Sequence, residues 1–198
     1  MIAIVDYGAG NLTSVRKAFE TLGEAAEITS DPQVVLQAQK IVVPGVGHFG
    51  ATTALQSRGL KAAIQAALSQ AKPILGICLG MQWMFSSSDE ALDIGGLGVF
   101  TGSCARFPSE VKSPHVGWNQ LWRCANSRLL HDIPEGSFVY FTHSYRAPLV
   151  QETIATCEYA GLFSAAVERE NVFGVQFHPE KSGAAGKRLI QNFCDLPC

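Results

Sequence analysis

The sequence predicts an α/β fold of three layers: a mostly parallel central sheet with helices on both faces, plus additional short strands in the 95–175 region. Three observations carry this. Nearly continuous apolar runs of the kind a strand buried on both faces shows recur at MIAIV (1–5), KIVVPG (40–45) and PILGI (73–77). Stretches with apolar residues at helical spacing separate them. From Gly95 to Val175 the pattern changes to short β-like runs broken by Gly and Pro turns.

The elements follow in order. After the first strand and the turn YGAG, Asn11 is placed to N-cap a helix in which Leu12, Val15, Phe19 and Leu22 recur before Gly23. AAEITS (25–30) and KIVVPG read as the next strands, with a short helix opening at Asp31-Pro32 between them. A helical pattern runs from about Ala51 to Gln70, broken near Gly59, and leads into PILGI. Past Gly80 the apolar run MQWMF reads as helix. SFVYFTHSY, ETIATCEY and VFGVQF are β-like, and a last helix covers about Ala184 to Phe193. No linker or repeat divides the chain, so a single domain, 1–198, is expected.

The totals narrow the function. The chain has 198 residues, 47% hydrophobic and 16% charged, with a net charge of -2, which argues against nucleic acid as a partner. The run MIAIV ends at Asp6 without the form of a signal peptide, and no segment has membrane-spanning length, so a cytoplasmic chain with no membrane partner is expected. None of the six cysteines forms a C-x-x-C, and the pair Cys194 and Cys198 has no histidine nearby, so no metal or other cofactor is expected. Cys104, Cys124, Cys157, Cys194 and Cys198 receive no role; most free cysteines are small buried hydrophobes. His48, His115, His131 and His143 are scattered and read as turn or core residues. DYGAGNLTS is only a weak match to a nucleotide loop, because Thr13 stands where a third glycine belongs and no Walker-type Gly-Lys-Ser/Thr occurs.

One cysteine stands apart. Gly76-Ile77-Cys78-Leu79-Gly80 has the form G-x-C-x-G at a strand-to-helix junction, a nucleophile elbow. The glycines permit the tight turn, and the free N–H groups of the following helix favour an anionic sulfur. The Leu79 N–H is placed to receive a developing oxyanion. A thiol nucleophile needs a base and an orienting group. His178 and Glu180 in FGVQFHPEKSG supply both; on an extended chain the two side chains face one way, with Pro179 barring helix. A second oxyanion donor is expected from the backbone of Val46 or Gly47, in the glycine turn after the strand KIVVPG.

Together GICLGMQ, PGVG and QFHPEKS resemble the class I (triad) glutamine amidotransferases. VDYGAGNLTSV, PHVGWN, YFTHSYRA and HPEKSGAAGKRLIQNF narrow the resemblance to the branch serving imidazole glycerol phosphate synthesis in histidine biosynthesis. The resemblance implies a flavodoxin-like core and hydrolysis of L-glutamine through a Cys78 thioester, with His178 as base and Glu180 orienting it. It implies an oxyanion hole from the backbone of Val46 or Gly47 and of Leu79. Gln82, His143, Ser144 and Tyr145 would hold the substrate's amino-acid end. It further implies a heterodimer with a (β/α)8-barrel cyclase subunit, with Asn11, Trp118 and Lys181 near the interface. Thr101 and Ser86 depart from the family pattern outside this chemistry. The residues leave open a glutaminase of another pathway, a stand-alone cysteine hydrolase, and a non-catalytic module that keeps the fold.

Overall fold

The computed structural model describes residues 1–197; Cys198 lies outside the described residues. The first half follows the expected order: β1 (Ile2–Val5), α1 (Leu12–Glu20), β2 (Ala26–Thr29), α2 (Pro32–Gln37), β3 (Lys40–Gly45), α3 (Thr53–Ser57), α4 (Leu60–Ser69) and β4 (Ile74–Cys78). Local chemistry explains the boundaries. The Asn11 side chain accepts from the Ser14 N–H at 3.4 Å and caps α1. Asp31 accepts from the Gln33 N–H at 2.8 Å and caps α2, whose first residue is Pro32. Gly59, at φ +72°, turns the chain between α3 and α4 in a conformation that suits glycine.

The second half is more strand-rich: α5 (Leu79–Met84), β5 (Phe85–Ser88), β6 (Phe100–Arg106), β7 (His115–Gln120), β8 (Trp122–Arg123), β9 (Phe138–His143), β10 (Tyr145–Arg146), β11 (Thr153–Glu158), β12 (Leu162–Arg169), β13 (Val172–Val175) and α6 (Gly183–Asp195). Two features depart from expectation. The helix after the elbow stops at Met84, and Phe85 begins a strand, where its ring packs 5.4 Å from that of Phe100. The serines that follow Phe85 have little helical preference with which to resist. The short strands from the 95–175 region also do more than decorate the sheet: β8, β11 and β12 extend it.

The central sheet has eight strands in the order β2-β1-β3-β4-β13-β12-β11-β8. Pairing is parallel from β2 through β13 and antiparallel from β13 through β8. Two small sheets, β10-β6-β5 and β7-β9, stand beside it. Alternate strand residues feed opposite faces. Ile2, Ile4, Val42 and Ile77 pack on one face with Val15 and Phe19 of α1 and Leu189 and Phe193 of α6. Ala3, Val5, Ile41 and Val43 pack on the other with Val35 of α2, Leu55 of α3 and Ile64 of α4. Among the described residues no helix is long and apolar enough to cross a membrane.

Candidate active site

β4 lies between β3 and β13, parallel to both. Gly45 pairs with Cys78 at the end of β3, and Ile77 pairs with Val175 near the end of β13. Three chain segments therefore leave one edge of the sheet side by side: the turn holding Val46 and Gly47, the elbow at Cys78, and the segment reaching His178. Sheet pairing, rather than a long loop, brings these groups together.

The elbow is tight. Cys78 adopts φ 53° and ψ -107°, angles close to the first central position of a type II′ turn, which glycine normally fills. Gly76 and Gly80 pack against each other: a Cβ on Gly76 would lie 2.8 Å from the Gly80 backbone. A Cβ on Gly80 would lie 1.7 Å from the Val43 carbonyl oxygen, so α5 rests directly on β3. The thiol is only 5% exposed. It donates to the Thr142 carbonyl at 3.9 Å and accepts from the Gln176 side-chain amide at 3.6 Å.

His178 Nδ1 lies 2.9 Å from Glu180 Oε1, and both side chains are buried. A carboxylate only accepts, so Nδ1 carries the hydrogen and Nε2 is the free nitrogen. That Nε2 is buried with no hydrogen-bond partner, as is Glu180 Oε2. Burial opposes the imidazolium, but the neighbouring Cys78 sulfur and the Glu180 carboxylate outweigh it and raise the His178 pKa, so the imidazolium is favoured once the ring takes up a proton. The geometry of the pair corrects the extended chain expected from the sequence. Pro179–Lys181 is a single 3-10 turn that begins after His178. Proline fits there because the first position of a helical turn needs no N–H. A wrap of the backbone, not strand alternation, brings Glu180 back to His178.

A cavity of about 240 Å³ opens beside the elbow, bordered by Gly47, Cys78, Leu79, Gln82 and the run His143–Tyr145. Val46 is 39% exposed and is not among the residues that line it. Glu90, to which no sequence motif points, also borders the cavity, its carboxylate accepting from the Phe49 N–H at 2.7 Å. An acidic residue in a loop, here next to Asp89, carries no signal of where the fold will place it. A larger cleft, about 520 Å³, lies among Arg128, Glu168, Arg188 and Asn192, away from the thiol. The smaller cavity is the one that Cys78 lines.

His115 and His143, scattered in the sequence, are set opposite each other by β7–β9 pairing, with Nδ1 of His115 3.1 Å from Nε2 of His143. The network fixes their tautomers. His143 Nδ1 faces the Tyr145 carbonyl at 2.8 Å and must donate, so its Nε2 accepts from His115 Nδ1. His115 Nε2 then accepts from the Asn119 amide at 3.4 Å. Both rings are neutral, and burial lowers His143 to about 3 and His115 to about 4. The unfolded chain takes up protons below about pH 6.5 while these rings do not. Their contribution to stability is therefore full above pH 6.5 and declines as pH falls. His178, shifted the other way, contributes fully below pH 6.5 and leaves this decline unmasked. The urea midpoint should drop between pH 6.5 and 5, and His115→Phe should flatten the drop; an equal slope in the variant would remove the pair as its source.

The expected interface residues are partly gathered. Trp118, 54% exposed, and Lys181 both approach the Tyr140 ring, at 6.0 Å between centroids and 5.5 Å from Nζ respectively. Asn11 stands apart as the cap of α1. Among the described residues no group of three or more His, Cys, Asp and Glu side chains is arranged to hold a metal.

A family model described as glutamine amidotransferase class-I matches residues 3–196. The chain belongs to the class I glutamine amidotransferases. The amidotransferase is 46% identical to the imidazole glycerol phosphate synthase subunit HisH of Thermococcus kodakarensis, over 98% of each chain. It is 44% identical to the HisH subunit of Moorella thermoacetica, over 98% of this chain and 94% of that one. A solved structure described as a glutamine amidotransferase aligns with TM-score 0.77 at 16% identity, covering 98% of both chains. PurLQS from Thermotoga maritima aligns with TM-score 0.74 at 18% identity, covering 98% and 97%. These two likenesses concern the fold.

Proposed function

We propose that this amidotransferase is the glutaminase subunit of an imidazole glycerol phosphate synthase. Cys78 is the nucleophile, His178 the base and then acid, and Glu180 the group that orients His178. The observation that supports this most is the convergence of Cys78, His178 and Glu180 on the adjoining ends of β4 and β13, beside a cavity of about 240 Å³.

His178 takes the proton of Cys78 on Nε2, its protonated form favoured by Glu180. The sulfur attacks the side-chain amide carbon of L-glutamine, and the carbonyl oxygen becomes an oxyanion. Backbone N–H groups of Leu79 and of Val46 or Gly47 receive that charge. His178 protonates the departing nitrogen, ammonia leaves, and a glutamyl thioester remains. Water, deprotonated by the same histidine, cleaves the thioester to glutamate and restores the thiol. Glu90 and the Gln82 side-chain carbonyl face the substrate's ammonium group, and the segment His143–Tyr145, which joins β9 to β10, holds its carboxylate end. The neutral His115–His143 pair keeps that segment in place.

The ammonia passes to a (β/α)8-barrel cyclase subunit, which makes imidazole glycerol phosphate and an aminoimidazole carboxamide ribotide. Trp118 and Lys181, clustered on Tyr140, and Asn11 meet that subunit. Gly47, at φ +102°, is free to let the preceding peptide rotate, so the partner controls whether the second oxyanion donor points inward. One such donor is worth about 2.7–4 kcal/mol, or roughly 100- to 1000-fold in rate. Glutamate release from glutamine should therefore be slow for the chain alone and rise by about that factor with the barrel subunit and a ligand in its synthase site. A high rate unchanged by the partner would sink the gating and reopen the choice of pathway.

A further inference from the structure

Gln176 sits between the last residue of β13 and the His178 turn, and it is fully buried. Its side-chain Nε2 donates to Cys78 Sγ at 3.6 Å, and its Oε1 accepts from Gln82 Nε2 at 3.0 Å. Gln82 Nε2 also donates to the Tyr145 carbonyl at 2.8 Å. A backbone oxygen can only accept, so Gln82 must turn its NH2 towards Tyr145. The second hydrogen of that NH2 goes to Gln176, whose carbonyl must face Gln82 and whose NH2 must face the sulfur. Turned over, Gln176 would set NH2 against NH2 and a carbonyl against the nucleophile. One immovable carbonyl thus orients both amides.

We propose that Gln176 is a further member of the catalytic machinery: its amide N–H holds the Cys78 sulfur in place and stabilises the anionic form, while Gln82 keeps that amide in register. This rests on the nucleophile role proposed for Cys78. The preference for the anion follows from the change in partners. As a thiol, Cys78 donates to the Thr142 carbonyl and offers Gln176 only a weak acceptor. When the proton leaves for His178 the bond to Thr142 is lost, and the Gln176 N–H faces a charge, where a hydrogen bond strengthens. Burial keeps water from competing for the sulfur. The same network limits what Gln82 offers a ligand. Both its hydrogens are used, so only its carbonyl remains, an acceptor suited to the ammonium group of an amino acid. Substrate recognition and the sulfur share one chain of amides.

The test is alkylation of Cys78 by iodoacetamide in the full chain, read by peptide mass mapping so that the other thiols are counted separately. Gln176→Met keeps the volume and removes the donor; at pH 7.5 it should slow Cys78 alkylation about 10-fold, the scale of a lost hydrogen bond to a charged group. Gln176→Glu adds a readout within one protein. Its neutral carboxyl still accepts from Gln82 and donates to the sulfur, whereas its ionised form only accepts. Its rate relative to the unsubstituted chain should be near unity at pH 5 and fall about 10-fold or more by pH 8. A merely structural role predicts a loss that does not vary with pH. An unchanged rate in Gln176→Met, or a Gln176→Glu ratio flat across pH, would overturn the proposal. Cys78→Ala separates the two readings. If it still hydrolyses glutamine, the nucleophile role itself fails; if it is inactive while the Gln176 variants alkylate normally, only Gln176's part fails.

Discussion

Replacing Cys78 with alanine is expected to cut partner-stimulated glutamate release by roughly 10⁴-fold or more, since a triad without its nucleophile retains only binding and oxyanion stabilisation. The substitution removes one buried sulfur and leaves His178, Glu180 and the cavity in place, so the fold and partner binding should survive. The backbone supplies a second readout at the same position. At φ 53° and ψ -107° any residue with a Cβ is strained, and the native cysteine tolerates this because the turn aims its sulfur. Cys78→Gly should therefore be as inactive as Cys78→Ala yet more stable than it by about 1 kcal/mol, as glycine is wherever φ is positive. Equal stability of the two, measured by urea denaturation, would mean that the elbow carries no strain. Substantial glutamate release by Cys78→Ala would remove the thioester mechanism.

Gly80→Ala should be the most damaging single methyl in the chain's active-site layer. The added carbon would stand 1.7 Å from the Val43 carbonyl oxygen, and no real contact is that short. Val43 cannot withdraw, because β3 is held on both sides by β1 and β4. Nor can α5 lift without moving the elbow, whose Gly76 is in contact with Gly80. Overpacking of this kind costs about 3 kcal/mol or more, enough to leave most of a marginally stable domain insoluble or unfolded. The thermal midpoint and soluble yield would show it; a variant with unchanged midpoint and full activity would mean that α5 does not sit on β3 as described.

Much of this architecture is written locally. β1, β3 and β4 are apolar runs, and Asn11 and Asp31 mark helix starts by their side-chain chemistry, so neighbouring residues suffice to find them. β12 was harder. Its sequence LFSAAVER carries alanine and serine where strands favour branched residues, and it is a strand because β11 and β13 flank it. The site divides the same way. Cys78, His178 and Glu180 are visible because each sits in a dense local motif, although the chain from His178 to Glu180, which its sequence suggests is extended, is a 3-10 turn. The His115–His143 pair depends on the register between β7 and β9, and the Gln82–Gln176–Cys78 chain on the order of strands in the sheet. No window of sequence contains either.

The placement of the proposed nucleophile at the end of β4, and of the proposed base just beyond the end of the neighbouring parallel strand β13, has a consequence for how the enzyme fails. The spacing of Cys78 and His178 is set by the ladder between β4 and β13, in the middle of the sheet, and not by a flexible segment. Such strands exchange their amide hydrogens only when the whole molecule opens. Heat should consequently leave the pair intact until the domain melts as a unit. The surface turn at Val46 and Gly47 can fray long before that. Under the proposed mechanism, loss of coupling to the partner and loss of the triad should therefore be different transitions, the first local and reversible, the second global.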